Sequence, residues 1–328
     1  MSFPDNKFKN FCGEQDLSIE EVPSADSSLQ KRGSVVETSV SMFSQMYHFV
    51  ALGLKKARMQ FDTGMLIISI DIDAGSKKLG IINGGKNDAN VHNYYTEAYV
   101  GDIEERALPR FIKTFSEVEL PVTFAVRGQL TELNDPTVKM LLDSPVKHDI
   151  GAHGYYHRNF QTLTHEEAES ELRLIASGMK KFGITPKSFI FPRNAVRHLD
   201  VLEQFGYKCY RDDGNFRSDA MFIEKRGNLY NIQPSLYLSP SLSPVILQKI
   251  LDVAVIKKAP LHFWFHPWNF GATNKQIDKY IDNIFLPFLR YAKFKEQKGV
   301  LTFETMLSAS EKADLLLKSQ PSTMPITV

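Results

Sequence analysis

The chain has 328 residues, 43% hydrophobic and 23% charged, with a formal net charge of +1. That suits one large or two smaller globular domains, and it excludes a strongly basic nucleic-acid binder or a chain drawn by its overall field to acidic partners. Two cysteines, Cys12 and Cys209, rule out a disulfide framework and point to reduced thiols and a cytoplasmic address. The polar first residues lack the apolar core of a secretory signal, and no run reaches the ~18 apolar residues of a transmembrane helix.

Residues 1–38 are rich in Ser, Glu, Asp and Lys without an apolar period, the composition of a disordered tail. Val40, Phe43, Met46, Tyr47, Val50 and Leu54 then recur at helical spacing, which predicts an amphipathic helix over 39–60. Packing against the outside of the main domain is its simpler role. The alternative, with Lys55, Lys56 and Arg58 alongside, is peripheral contact with anionic lipid through 40–58.

Met65–Ile70 is almost purely apolar and follows Gly64, the pattern of a strand buried on both faces in a helix-covered parallel sheet. It runs into Asp71 and Asp73, whose spacing on an extended backbone sends both carboxylates to one side. The carboxyl end of such a strand is where α/β proteins place their chemistry. Two aspartates can also simply cap a strand and start a turn; the segments downstream weigh against that.

Residues 76–100 read as a long polar loop of the kind used as lids or binding surfaces. A helix then runs from Asp102 to Glu117 with a kink at Pro109, Pro121–Val126 is a second strand, and Asn134 or Asp135 with Pro136 opens a short helix. Val146–Ala152 is the third strand. The capping box of Thr164 and Glu167 starts a helix to Gly183. Ser188–Phe191 is the fourth strand, residues 196–205 a helix, and Tyr207–Tyr210 the fifth strand. One or two more strands fall within Leu229–Leu238. Ser243 and Pro244 open a helix to Lys257, Pro260–His266 is a late buried strand, Asn274–Lys295 a long helix, and Gly299–Phe303 the last strand. Strands alternating with helices predict parallel βαβ units, and seven or eight of them suggest a barrel over 61–308. A helix end and tail follow over 309–328.

His153 and His157 come directly after the third strand. On a helical turn, i and i+4 are neighbours, so both imidazoles would face the aspartate end of the sheet. Two imidazoles and one carboxylate, with positions open to water, make a zinc-like or ferrous-like ligand set. His266 closes the late strand, held extended by Pro267; an imidazole there suits a general acid. His262 shares its face with Trp264 and His266 and is expected only to support the groups in front of it. Tyr155, Tyr156, Trp264 and Trp268 lie within or beside these segments, as stacking faces for a ligand or as core and rim packing.

These segments resemble, in order, the motifs of the polysaccharide deacetylases, the NodB-homology or carbohydrate esterase family 4 enzymes. The residues are Asp71-Ile-Asp73, Pro121–Gly128, His148–His157, Phe191-Pro192-Arg193-Asn194 and His266-Pro267-Trp268-Asn269, spread over about residues 62–305. The resemblance implies a distorted (β/α)7-type barrel and a metal-dependent amide hydrolase removing N-acetyl groups from a saccharide or sugar conjugate. By the same resemblance Asp73, His153 and His157 bind one divalent ion, zinc by the ligand set. Asp71 is the base that deprotonates the water on the ion, and His266 protonates the departing amine. Pro192, Arg193 and Asn194 face the substrate, the Arg193 N–H helping to stabilise the oxyanion. The chain departs from the family at Ile190, where an arginine ordinarily steadies the base; Arg193 or Arg211 would have to supply that charge. Asp212 or Asp213 would back up His266. The remaining readings are a related hydrolase of a non-sugar amide and a glycan-binding barrel without turnover.

Overall fold

The computed structural model describes residues 59–73, 98–132, 136–212, 221–271 and 273–319. The expected tail over 1–38, nearly all of the helix over 39–60 with its lipid-facing alternative, most of the loop over 76–100, Asn134, Asp135, Asp213 and the chain end beyond 319 lie outside the described residues.

The sheet is built around β1 (Gly64–Ile72), all nine residues of which are buried. Leu66, Ile68, Ile70 and Ile72 point into the helix-packed core, whereas Met65 and Ile67 join Ala125, Ile190, Cys209 and Ile232 in a second cluster. One face of β1 therefore lies under helices, while the other faces the inside of the curled sheet, where Met306, Ala309 and Ala313 of the helix Met306–Ser319 also pack, which explains its unbroken apolar run. β1 has three parallel partners: β2 (Thr123–Val126), β9 (Pro260–Phe265) and β10 (Leu301–Glu304). On the far side of β2 follow β3 (Asp149–Ala152), β4 (Ser188–Ile190) and β5 (Cys209–Arg211). Beyond β5 lie β7 (Leu229–Ile232) and then β6 (Ile223–Arg226), while β8 (Leu236–Tyr237) flanks β9. Among the described residues only the β6–β7 pair is antiparallel. Among the described residues the path does not close between β8 and β6. The predicted barrel is thus a curled half-barrel, with every parallel strand delivering its carboxyl end to the same mouth.

Most predicted elements stand within two or three residues of their expected bounds, including the Thr164–Glu167 capping box at the head of the helix His165–Lys180. β6 was not foreseen: Glu224, Lys225 and Arg226 make it a charged edge strand, the kind that resists further pairing but carries no apolar signal. The long helix expected over Asn274–Lys295 is Asn274–Tyr280, a π-helical turn over Ile281–Phe285, and Leu286–Gln297. Pro287 has no N–H to donate to the preceding turn, so the ladder widens just before it. No helix among the described residues is long and apolar enough to cross a membrane.

Candidate active site

Inward-facing positions of β1 lead up the hollow from Met65 to Ser69, Asp71 and, one residue past the strand, Asp73. Both aspartates are buried. Asp73 Oδ1 lies 3.0 Å from His153 Nε2 and 3.4 Å from His157 Nε2. One ligand atom from each of the three residues falls within 4.8 Å of the others, all three side chains being buried. The expected juxtaposition holds, but its local basis differs: residues 153–157 form a loop, not a helical turn. Gly154 at φ +65° and His157 at φ +60° reverse the chain so that the second imidazole returns toward the first. The ring centroids end 4.9 Å apart. Gly154 meets a double demand, because a Cβ there would also lie 2.8 Å from Pro192 Cγ.

The charges in this cluster bear on whether it could hold a cation. His153 Nδ1 is 2.9 Å from the Ile190 carbonyl, which can only accept, so Nδ1 bears the hydrogen and Nε2 turns toward Asp73. Burial opposes charge on Asp73, yet His266, His153 and His157 outweigh it and hold the carboxyl well below the usual range. Burial likewise opposes charge on His153, but the bond to Asp73 and the charges of Asp71 and Asp73 raise its pKa. Burial brings His157 down to about 4 despite Asp73, leaving a neutral imidazole at physiological pH. Both Asp73 oxygens are buried and face ring nitrogens of His153, His157 and His266, and a cation held between the carboxylate and the imidazoles would satisfy both. The donor set of two imidazoles and one carboxylate fits a divalent ion of the zinc or iron type.

Asp71 is held differently. Arg211 donates to both of its oxygens, Nη1 to Oδ1 at 2.8 Å and Nη2 to Oδ2 at 2.6 Å, in a fork-to-fork pair buried on both sides. Burial would raise the Asp71 carboxyl, but Arg211 leads the opposing charges and the net effect is downward. Arg211 reaches this point from β5, where it stands in register with Ile190 of β4, and packs 4.4 Å from the centroid of the Trp264 ring. The charge sought near Ile190 therefore comes from the adjacent strand. Arg193 instead carries an exposed side chain.

His266 lies across the mouth, its Nε2 3.3 Å from Asp73 Oδ2 and 3.8 Å from Asp71 Oδ2. Its other ring nitrogen is 3.0 Å from Asn269 Oδ1, and Trp268 stacks on the ring at 4.6 Å. Asp212 accepts from Gln233 Nε2 at 2.8 Å and also from Asn231 Nδ2. Pro192, Arg193 and Asn194 form a tight turn with Arg193 and Asn194 both at positive φ. The N–H groups of Asn194 and Ala195 fold back onto the carbonyls of Phe191 and Pro192, and Asn194 Oδ1 accepts from Arg211 at 3.4 Å.

Two supporting residues escaped the sequence reading. Arg127, fully buried, donates to the Asp73 carbonyl at 3.3 Å, to Gln129 Oε1 at 2.6 Å and to the Tyr156 carbonyl at 3.5 Å, tying the end of β1 to the histidine loop. Glu171 Oε2 accepts the N–H groups of Tyr155 at 2.6 Å and Tyr156 at 3.1 Å, two of the three amides between the histidines. A signal was present: Glu171 interrupts the apolar stripe of Ala168, Leu172, Ile175 and Met179. An acid on a buried helix stripe needs a partner.

The mouth of the curled parallel sheet thus gathers two aspartates, three histidines and a clamping arginine. The polysaccharide deacetylase family model matches residues 99–210. A peptidoglycan deacetylase of Helicobacter pylori is 28% identical over 147 residues, 44% of this chain and 47% of that protein; the match thus spans about half the length of this curated relative. A candidate polysaccharide deacetylase from Mycobacterium smegmatis superposes with a TM-score of 0.60 at 14% identity, over 83% of this chain and 98% of its own. The Puue allantoinase follows at 0.56 and 12%, over 79% and 92%. At those identities the two structures attest the fold alone. Over residues 99–210 the chain is thus similar to the polysaccharide deacetylases.

Proposed function

We propose that this protein hydrolyses the N-acetyl amide of a saccharide or sugar conjugate, releasing acetate and the free amine, with a divalent ion at Asp73, His153 and His157. The observation that carries the reading is the division of labour between the two aspartates: among the described residues Asp73 faces ring nitrogens, while Asp71 is clamped by Arg211. When bound, the ion supplies Lewis acidity, lowering the pKa of water from 15.7 to about 7 and polarising an amide carbonyl.

The chain's own groups do the rest. Asp71, kept ionised and oriented by the guanidinium, accepts the proton of the attacking water. The amine leaves poorly as an anion, so it needs an acid. His266 Nε2 faces the same space and delivers that proton, its Nδ1 side being tied to Asn269. The N–H of Arg193, set by the Pro192–Asn194 turn, is the donor for the developing oxyanion, a contribution on the order of 3 kcal/mol. Trp264 and Trp268 offer apolar faces beside His266 for a sugar ring.

The deciding experiment measures acetate release from chito-oligosaccharides, peptidoglycan fragments and sugar nucleotides, alongside the metal content of the purified protein. About one divalent ion per chain is expected, with hydrolysis of at least one of these glycans and its loss in Asp71→Asn at unchanged metal content. Turnover that survives Asp71→Asn removes the base assignment. A metal-loaded protein that cleaves no N-acetyl glycan but does cleave another amide places the site on a non-sugar substrate.

A further inference from the structure

Behind Asp71, one inward position deeper in β1, a chain of hydrogen bonds runs through Ser69 and His262. Its direction is fixed by groups that can play only one role. His262 Nδ1 lies 3.0 Å from the Ile232 carbonyl, which only accepts, so Nδ1 carries the hydrogen. The ring is fully buried, and burial, with Arg211 nearby, brings its pKa down to about 3, so it is neutral. Nε2 then holds a lone pair alone, and Ser69 Oγ, 2.8 Å away, must donate to it. With its hydrogen committed, the Ser69 oxygen is left to accept, and it takes Nη1–H of Arg211 at 3.0 Å. The same Nη1 and its neighbour Nη2 clamp Asp71. The histidine is itself anchored from its backbone: its N–H donates to Ser235 Oγ at 3.0 Å, and its carbonyl accepts from the Ser235 N–H at 2.8 Å.

We propose that Ser69 and His262 are positioning residues for Asp71, acting in series through Arg211 to fix the plane and direction of the guanidinium that holds the base. Arg211 enters the hollow from β5, and besides Asp71 it touches the Trp264 ring and Asn194 Oδ1. A ring face and a 3.4 Å contact leave the in-plane rotation of the fork loosely set, whereas an acceptor locked by a single histidine tautomer sets it. The kinetic consequence rests on the function proposed above; the hydrogen-bond direction does not.

The test uses the full-length, metal-loaded protein with ¹⁵N-labelled histidine. Long-range ¹H–¹⁵N correlation at pH 7, with the His262 signals assigned by their loss in His262→Gln, should show the neutral Nδ1–H tautomer. The Nε2–H tautomer or an imidazolium would overturn the proposal, whether or not a substrate is known. In the acetate-release assay, Ser69→Ala and His262→Leu should each lower kcat roughly 10–100-fold, the range for groups that orient an active residue from behind, with KM little changed. Because the two act in series, the double variant should be no worse than the more damaged single one. His262→Gln, which keeps an acceptor near the Nε2 position, should recover most of the activity lost in His262→Leu. Wild-type kcat in Ser69→Ala, losses that multiply in the double variant, or a Gln variant no better than Leu would each refute the relay.

Discussion

At the scale of single residues, the site depends on buried charges whose partners come from distant segments. Arg211 and Asp71 are 140 positions apart and almost wholly excluded from solvent. Removing one member of such a pair strands the other, so Arg211→Leu should cost about 3–5 kcal/mol in urea unfolding. Arg211→Lys keeps the charge but not the fork; it should recover part of the stability while leaving kcat at least roughly 10-fold low. Full activity in the lysine variant would show that charge alone suffices. Glu171 works on the other ligands. Glu171→Ala frees the Tyr155 and Tyr156 amides between the two histidines, and metal affinity by chelator competition should fall roughly 10–100-fold. Glu171→Gln keeps an acceptor and should fall less; equal affinity in all three proteins would remove Glu171 from the site. The motif residues of this network were legible because carboxylates and imidazoles rarely end apolar strands without reason. Arg211, Ser69 and Glu171 were harder to read, since their roles depend on which strands and helices become neighbours.

At the scale of elements, strand ends set the ligand geometry, and strand spacing sets the strand ends. β3 and β4 approach closely at Gly151, where a Cβ would lie 2.7 Å from the Ser188 carbonyl oxygen and 3.1 Å from the Ser188 Cβ. The obstacle is strand backbone and cannot swing aside. Gly151→Val should therefore destabilise the fold by about 1–3 kcal/mol of overpacking. It should also displace His153, two residues on, so that metal is lost at temperatures where the variant is still folded. Circular dichroism melts and metal content read together check this, and unchanged metal content in a destabilised variant would uncouple β3 spacing from the site. The elements themselves followed from periodicity and punctuation: apolar runs for strands, Thr164 with Glu167 and Ser243 with Pro244 for helix starts. The helical reading of His153–His157 failed because i, i+4 spacing is equally served by a loop once Gly154 supplies a positive φ. A spacing argument has no access to that dihedral.

At the scale of the whole molecule, alternation of strands and helices announced a parallel sheet, but not whether it closes. That depends on β6 and β8, which are short or charged and weak in the sequence. The assembled core has a consequence for stability in acid. His148, at the start of β3, sits edge-on to Phe124 and Phe115. Val122 N–H donates to its Nδ1 at 3.2 Å, so the ring hydrogen is on Nε2, 2.9 Å from Ser144 Oγ. A proton on Nδ1 would face that N–H head-on, and burial brings the ring down to about 4. In the unfolded chain the imidazole titrates near 6.5. Below that pH the unfolded state takes up a proton that the folded state refuses. The contribution is therefore complete above pH 6.5 and drains away as the pH falls toward 4. At 1.36 kcal/mol per pKa unit, up to about 3 kcal/mol is at stake. His262, held neutral to about pH 3, adds a loss of the same sign. The urea midpoint should accordingly be lower at pH 5 than at pH 7, and His148→Gln, which has no proton to gain, should fall less steeply between pH 6.5 and 4.5 than the wild type. Parallel curves for the two proteins would mean that the ring of His148 accepts its proton in the folded core as readily as in the open chain.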